Sequence, residues 1–390
     1  LFVQRLTPCG RHGRPIFVQA MRILFCNDSF PGHFEPLAEY LASDSKNEVL
    51  FASRYERRSF SIPGVRRVQF RAPRDKAASS DPLVADWSRA VAMGRQAFSS
   101  FKQITGAGFA PDLVLYSAGN GVSLFIGRAF PHSCRVAYAE SFANAAGEDS
   151  RAVSVMVQGI SLFQCHRAYA FSSHHRDAFP QILQPAIGII PLSVDTDFFC
   201  RDAASPFFTD IRPKELVSIS IKEPSAFASS GLPRVITALL LRRPFCHVLL
   251  NCGYGQSSQL LRLFAGLNAE YMTRLHACDF LHRPEYRNML AASTVHICLQ
   301  RADSVAMEML ESMSSGSALL APMPAGERRL LHGINMCEWP ATLQGQFEVT
   351  CALLDDDARR TAIINAARRT VLEHFCQKDA MPRHARELLD

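Results

Sequence analysis

The chain has 390 residues, 48% of them hydrophobic and 20% charged, a make-up that excludes disordered and fibrous chains and favours two or three globular domains. Its net charge of +6 is small for this length and no apolar run approaches the ~20 residues that cross a bilayer. That modest positive balance points to anionic ligands or a membrane surface and gives no sign of nucleic acid. The twelve cysteines lack CxxC or finger spacing. Several, such as Cys134, Cys246 and Cys298, stand inside apolar stretches as small buried hydrophobes, which suits a reducing cytoplasm.

The first twenty residues carry Arg5, Arg11 and Arg14 without a continuous apolar core, so they do not read as a signal peptide. They are set aside as an extension, expected to be unstructured. Met21–Asn27 (MRILFCN) is a continuous apolar run and predicts a buried parallel strand. Pro31, Gly32 and His33 predict a turn, and Phe34–Ala42 a helix. Glu48–Ser53 and Val65–Phe70 read as strands. Asp86–Thr105 reads as a helix ended by Gly106 and Gly108. Pro111–Tyr116 predicts another buried strand, Ser117–Gly121 a small-residue loop, Val122–Ala129 a helix, and Arg135–Ala139 a strand ending at Glu140. Strands alternating with helices argue for a parallel sheet with right-handed crossovers.

The pattern restarts after Ile187–Leu192. Short apolar strands are expected at Val217–Ile221, His247–Asn251, Asp279–Leu281, Val295–Leu299 and Ala318–Ala321, with helical segments between them. Ala358–Phe375 predicts a strong helix, and Met381–Leu389 a last amphipathic piece that crosses back onto the first domain. The expected organisation is an extension over 1–20, a first domain over 21–194, a second over 195–375, and a returning helix over 376–390. The fold class is α/β, with two doubly wound, Rossmann-like domains and a ligand cleft between them.

The segment Ala302–Pro322 (ADSVAMEMLESMSSGSALLAP) follows a strand and places Asp303 and Glu311 eight positions apart around a helix start. A strand, a loop acid, a helix acid and a Gly-bearing turn form a ligand edge in a doubly wound sheet. Together with MRILFCNDSFPGHFEPLAEYLA, PDLVLYSAGNGVSLFI, IIPLSVDTDFF, FLHRPEYRNMLAAS and ARRTVLEHF, taken in that order from Met21 onward, it resembles the retaining glycosyltransferases of family 4, whose fold is called GT-B. Asp303 replaces the usual first Glu of the family's acid pair.

That resemblance implies a cytoplasmic enzyme moving a sugar from a nucleotide diphosphate to a hydroxyl acceptor, with retention and with neither metal nor other cofactor. The acceptor would be a glycan, a lipid-linked molecule or a protein. Glu311 is then expected to accept hydrogen bonds from ribose hydroxyls, and Asp303 to contact the transferred sugar. The plain alternatives are a solvated helix-face acid beside Glu308 and an N-cap. Gly32 would let the backbone approach the donor phosphates, or serve only its turn. His33, Ser117 and Asn120 are the acceptor candidates, and Glu140 a catalytic one at a strand end. Gly253, in the turn Cys252-Gly253-Tyr254-Gly255, and Arg283, in His282-Arg283-Pro284, are expected on the donor side. In SISIKEPSAFASSGLPRV, Lys222 stands for one cation of the diphosphate site and is a catalytic and donor-binding candidate, because negative charge grows on the leaving diphosphate. Ser230 occupies the position of the family's second cation, with Arg234 or Arg283 as substitutes. This departure keeps a noncatalytic nucleotide-sugar-binding or scaffold relative open, and a sugar-nucleotide epimerase on the same plan is a third option.

A basic run covers Arg54, Arg57, Arg58, Arg66, Arg67, Arg71, Arg74 and Lys76, with Tyr55, Phe60 and Phe70 interleaved. It suits an anionic membrane surface or a phosphorylated acceptor, or else is an ordinary solvated face. His174 and His175 are adjacent and point different ways, and neither HExxH nor a Cys/His cluster occurs, so no metal site is expected.

Overall fold

The structure is a computed structural model that describes residues 20–55, 61–71, 80–119, 121–139, 148–299 and 305–389. The expected extension, the candidates Asn120, Glu140 and Asp303, and Arg57, Arg58, Arg74 and Lys76 of the basic run lie outside the described residues. The chain divides into two compact units, Leu1–Leu192 with Lys378–Asp390, and Ser193–Gln377.

The first unit is built from β1 (Arg22–Ser29), α1 (Glu35–Ser43), β2 (Glu48–Tyr55), β3 (Val65–Gln69), α2 (Pro82–Gly106), β4 (Leu113–Ser117), α3 (Ile126–Ala129), β5 (Cys134–Tyr138), α4 (Glu148–Phe163), β6 (Arg167–Ala170), α5 (Ser173–Asp177) and β7 (Ile187–Ile189). Its seven strands pair in parallel in the order β3-β2-β1-β4-β5-β6-β7. The strand order reverses between β1 and β4, which is where a doubly wound sheet opens a crevice at its carboxyl edge. Alternate residues of each strand serve two cores. Leu24, Val114 and Ala137 pack with Phe101, Ile126 and Leu162. Ile23, Leu115 and Val136 pack with Phe34, Leu37 and Leu41. Burial on both faces is why these strands read as unbroken apolar runs.

The second unit contains β8 (Glu215–Ser220), α6 (Pro224–Ser229), α7 (Leu232–Arg242), β9 (Cys246–Asn251), α8 (Ser257–Arg262), α9 (Ala269–Met272), β10 (Leu275–Cys278), α10 (Arg283–Ala292), β11 (Val295–Cys298), α11 (Met307–Ser315), β12 (Ala318–Ala321), β13 (Cys337–Glu338), α12 (Leu343–Asp355) and α13 (Asp357–His374). Its six parallel strands run β10-β9-β8-β11-β12-β13, with the reversal between β8 and β11. One core joins Val217, Ile219, Val248, Ile297 and Leu320 to α7 and α12 through Ile236, Leu239 and Leu353.

The last helix, α14 (Gln377–Leu389), returns to the first unit from Lys378 onward. Its Met381, Ala385 and Leu388 join the same core as Phe25 and Phe51. Arg167 Nη1 donates to the carbonyls of Glu387 and Leu388 at 2.9 and 3.3 Å, which satisfies the open end of the helix. Burial, helped by Arg383, pushes His384 on this helix down from 6.5 to about 4. The unfolded chain therefore takes up a proton near pH 6.5 that the folded chain refuses until about pH 4. The stability held by neutral His384 is full above pH 6.5 and is lost as pH falls toward 4, at about 1 kcal/mol per pH unit after allowing for partial solvent access. Thermal melts across this window are expected to fall less steeply for His384→Phe than for the native chain, and equal slopes would remove this residue from the account.

Three expectations are corrected. The helix expected at Val122–Ala129 is helical only over Ile126–Ala129. Gly121 sits at φ +78, and a Cβ there would lie 2.4 Å from the Ala90 carbonyl, so residues 121–125 turn tightly against α2 instead of winding. The strand expected at Asp279–Leu281 is displaced to Leu275–Cys278. Asp279 instead accepts the N–H groups of Gln256 and Ser257 at 3.1 and 2.9 Å, capping the start of α8. The long helix expected from Asp86 begins at Pro82, because Asp81 caps it by accepting from Leu83 N at 2.8 Å. Among the described residues every cysteine is a free thiol, and no helix is long and apolar enough to cross a membrane.

Candidate functional site

Among the described candidates, Gly32, His33 and Ser117 lie at or past the carboxyl ends of β1 and β4, and Lys222, Gly253 and Arg283 past those of β8, β9 and β10. In the first unit, the apolar run of β1 gives way to Asn27, a buried amide two residues before the strand ends. Its Oδ1 accepts from Ser117 Oγ at 3.0 Å and from Asp28 N at 2.8 Å, and its Nδ2 donates to the Ser29 carbonyl at 3.1 Å. Asn27 thus ties the end of β1 to the end of β4. Gly32 lies against it at φ +58, where a Cβ would stand 2.5 Å from Asn27 Nδ2. The glycine is required for this approach and is itself exposed beside the switch point. Of the acceptor candidates, Ser117 is buried and its hydroxyl is given to Asn27. His33 is half-buried and packs on the rings of Phe34, Tyr138 and Phe171 at 4.1, 5.7 and 5.0 Å.

The described part of the basic run is largely engaged within this unit. Arg54 makes a bidentate pair with Asp28 at 2.7 and 2.5 Å. Arg66 pairs with Glu48, and the Arg67 guanidinium lies 4.7 Å from the centre of the Phe30 ring. Arg71 is exposed.

In the second unit, Lys222 is exposed just beyond the end of β8. Ser230 is also exposed, and its hydroxyl donates to the Phe227 carbonyl at 2.7 Å, turned back on its own helix. Arg234 is exposed in the first turn of α7. Gly253 donates its N–H to Gln256 Oε1 at 3.2 Å. Beside it the exposed Tyr254 stacks on Phe280 with ring centres 4.9 Å apart, a flat aromatic surface next to the glycine turn. Arg283 opens α10. Its guanidinium lies over Phe198 and Phe199 at 4.4 and 5.6 Å and 3.8 Å from Asp195 Oδ2, so it is held by the segment that enters this unit.

Glu311 is half-buried on α11. Burial, followed by the nearby charges of Glu308 and Glu311, raises the Tyr286 phenol of α10 well above the ordinary tyrosine value, so it stays protonated. The N-cap position of α11 is Ala306, which makes no side-chain cap. Glu308 is no solvated neighbour of Glu311: it is buried, with Oε1 3.0 Å from His296 Nε2.

The end of α11 is held by Arg368 of α13. Nη1 donates to the Phe199 and Ser314 carbonyls at 3.0 and 3.1 Å, and Nη2 to the Thr196 carbonyl at 2.8 Å. Arg201 adds a bond to the Gly316 carbonyl at 2.5 Å. These cations satisfy carbonyls that a helix end leaves open. Among the described residues no group of three or more His, Cys, Asp or Glu is placed to hold a metal ion.

The sequence reading does not single out Asn27, Tyr286 or His296, and names Tyr254 and Glu308 only as neighbours of other candidates. A His inside the apolar run VHIC and an Asn closing MRILFCN carried the usable signal, since a buried polar side chain needs a partner.

A family model described as glycosyl transferase family 4 group matches residues 45–155. Comparison with curated proteins finds no match. Among solved structures the chain is similar to HepE from Anabaena in complex with UDP-glucose, at 15% identity and a TM-score of 0.70, covering 94% of this chain and 99% of that one. It is similar to sucrose-phosphate synthase from Thermosynechococcus elongatus, at 14% identity and a TM-score of 0.68, covering 94% and 98%. It is also similar to a UDP-forming α,α-trehalose-phosphate synthase from Burkholderia xenovorans, at 12% identity and a TM-score of 0.63, again covering 94% and 98%.

Proposed function

With the GT-B fold of these glycosyltransferase structures as its premise, we propose that this chain is a glycosyltransferase that takes a sugar from a nucleoside diphosphate donor and passes it to a hydroxyl acceptor. The observation that carries the reading is Glu311, a half-buried acid on the helix that follows the switch-point strand β11. A carboxylate there accepts two hydrogen bonds at once, which fits the paired hydroxyls of a ribose. UDP is the first nucleotide to test, because HepE is seen with UDP-glucose.

In this reading Lys222, exposed past β8, and the backbone at Gly253 meet the diphosphate, and Asp303 meets the transferred sugar. The bond from the anomeric carbon to the diphosphate oxygen breaks, its electron pair going to the phosphate. Lys222 offsets that charge. The acceptor oxygen bonds to the anomeric carbon on the same face and gives up its proton, with Glu140 the candidate base. At the carboxyl edge of the first sheet, Gly32 is the candidate for approach to the donor phosphates and His33 belongs to the acceptor side. Asn120 is a further acceptor candidate, and Ser117 acts there through Asn27. Arg283 acts from the start of α10 on the donor side. Neither metal nor other cofactor takes part. The acceptor is a glycan, a lipid-linked molecule or a protein, and the setting is the cytoplasm, with peripheral contact to an anionic membrane through the arginines around Arg71.

Incubation with a panel of UDP-, GDP- and ADP-sugars and an acceptor extract is expected to release nucleoside diphosphate for one base. No release with any donor counts heavily against transfer. Ser230 favours one other reading, because it brings no positive charge where a second cation is expected and its hydroxyl is already donated. That reading is a binding protein that retains the nucleotide sugar without turnover, and tight UDP binding with no release would select it.

A further inference from the structure

Among the described residues the first unit exposes six large apolar side chains, and five of them, Leu83, Val84, Met156, Ile160 and Phe163, lie on α2 and α4. These two helices pack together, with Val153 and Val157 of α4 against Trp87, Ala90 and Val91 of α2. From Ala152 to Phe163 every exposed residue of α4 is apolar: Ala152, Met156, Ile160 and Phe163. Their helical spacing sets them on one face. On the other side Val153, Val157 and Leu162 are buried in the unit. A helix that is apolar on its inner and outer sides alike has a second surface left to cover. With Phe163 79% exposed and Met156 51%, that outer stripe stands in solvent.

The charges around the stripe are mostly of one sign. Asp86 is the one acid of α2 and pairs with Arg89 at 2.8 Å. Beyond it α2 exposes Arg95 and Lys102, and α3 exposes Arg128. The acids of α4, Glu148 and Asp149, are its first two residues, at the far end from Phe163. Gln164 ties that far end to α3: its Oε1 accepts from Gly127 N at 2.9 Å, and its Nε2 donates to the Leu124 carbonyl at 2.9 Å. Next to Gly127, the Arg128 guanidinium lies 5.2 Å from the centre of the Phe98 ring, and Lys102 Nζ lies 5.3 Å from the same ring. Exposed apolar side chains beside long cations suit an anionic bilayer, with the apolar groups at the acyl boundary and the cations at the phosphates. A second copy of this chain fits the face less well. A two-fold contact would set Arg95, Lys102 and Arg128 near their own copies, and like charges repel.

We propose that the α2–α4 face is a membrane-docking surface, with Ile160 and Phe163 entering the headgroup boundary of an anionic bilayer and Lys102 and Arg128 binding lipid phosphates. The inference deepens the membrane contact of the reading above, adding to the arginines around Arg71 the surface that inserts. The test is sedimentation of the full chain with phosphatidylcholine vesicles that contain or lack phosphatidylglycerol. The native chain is expected to bind the anionic vesicles more strongly than the neutral ones. Lys102→Gln with Arg128→Gln is expected to weaken that binding about fivefold for each cation removed. Ile160→Ser with Phe163→Ser is expected to weaken it about tenfold or more and to remove the part that survives high salt. All four side chains are exposed, so melting temperatures are expected to stay close to native. UDP binding without vesicles is expected to be unchanged in both double variants. Its failure in the native chain would count against the donor site, while the vesicle assay still decides the docking face. No binding to anionic vesicles would overturn the inference. So would binding that both double variants keep, binding lost only in Arg71→Gln, or self-association of the native chain that Phe163→Ser abolishes.

Discussion

Replacing Glu311 with Ala is expected to weaken UDP binding by about 100-fold or more while the melting temperature stays close to native. Two hydrogen bonds from ribose to a carboxylate are each worth about 1.5–3 kcal/mol, and a tenfold change in affinity takes about 1.4 kcal/mol. The fold loses little, because Glu311 is half-buried at the surface of α11, whereas Leu310 and Met313 on either side of it are fully buried and hold the helix down. Glu311→Gln separates charge from shape, since its amide accepts at one atom only, and an intermediate loss is expected. Titration calorimetry reads both. Unchanged affinity in Glu311→Ala would show that this acid does not touch the nucleotide.

The largest stability effect is expected at Arg368. Its guanidinium binds the carbonyls of Thr196, Phe199 and Ser314, which joins the entry segment of the second unit to α11 and α13. Arg368→Met keeps much of the apolar stem and leaves these carbonyls without their cation. The cost is about 3–4 kcal/mol, since buried acceptors lose their partner and a helix end loses a favourable charge. For a unit of this size that corresponds to a drop of roughly 10 °C in the melting temperature. Differential scanning calorimetry would show it, and a transition within a degree or two of native would mean that water replaces the cation at little cost.

Much of this architecture is legible in the residue pattern because strands buried on both faces are continuous apolar runs. MRILFCN and PDLVLY are unmistakable for that reason, as is VHICL in the second unit. The chain hides α4 because Val153, Val155 and Val157 are β-branched and alternate, which imitates a strand. Only after the fold is formed do Val153 and Val157 share one helix face, packed with Leu124. The strand Leu275–Cys278 is misplaced in the residue pattern because His276 interrupts the short LHAC, while Phe280 and Leu281 follow as an unbroken apolar pair. Site residues follow the same division. Glu311, on the helix after β11, and Lys222, just past β8, are candidates through the family resemblance of the segments that hold them. The His296–Glu308 bond joins a strand to a helix across a turn, and the Ser117–Asn27 bond joins residues ninety positions apart, so only the folded chain reveals them.

The central claim is that the second unit binds a nucleoside diphosphate through Glu311. A crystal structure of the protein with UDP bound tests it most directly. The account predicts the ribose hydroxyls on the Glu311 carboxylate and the diphosphate at the carboxyl end of β8, within reach of Lys222. Nucleotide found elsewhere on the protein, with Glu311 turned to solvent, would contradict it.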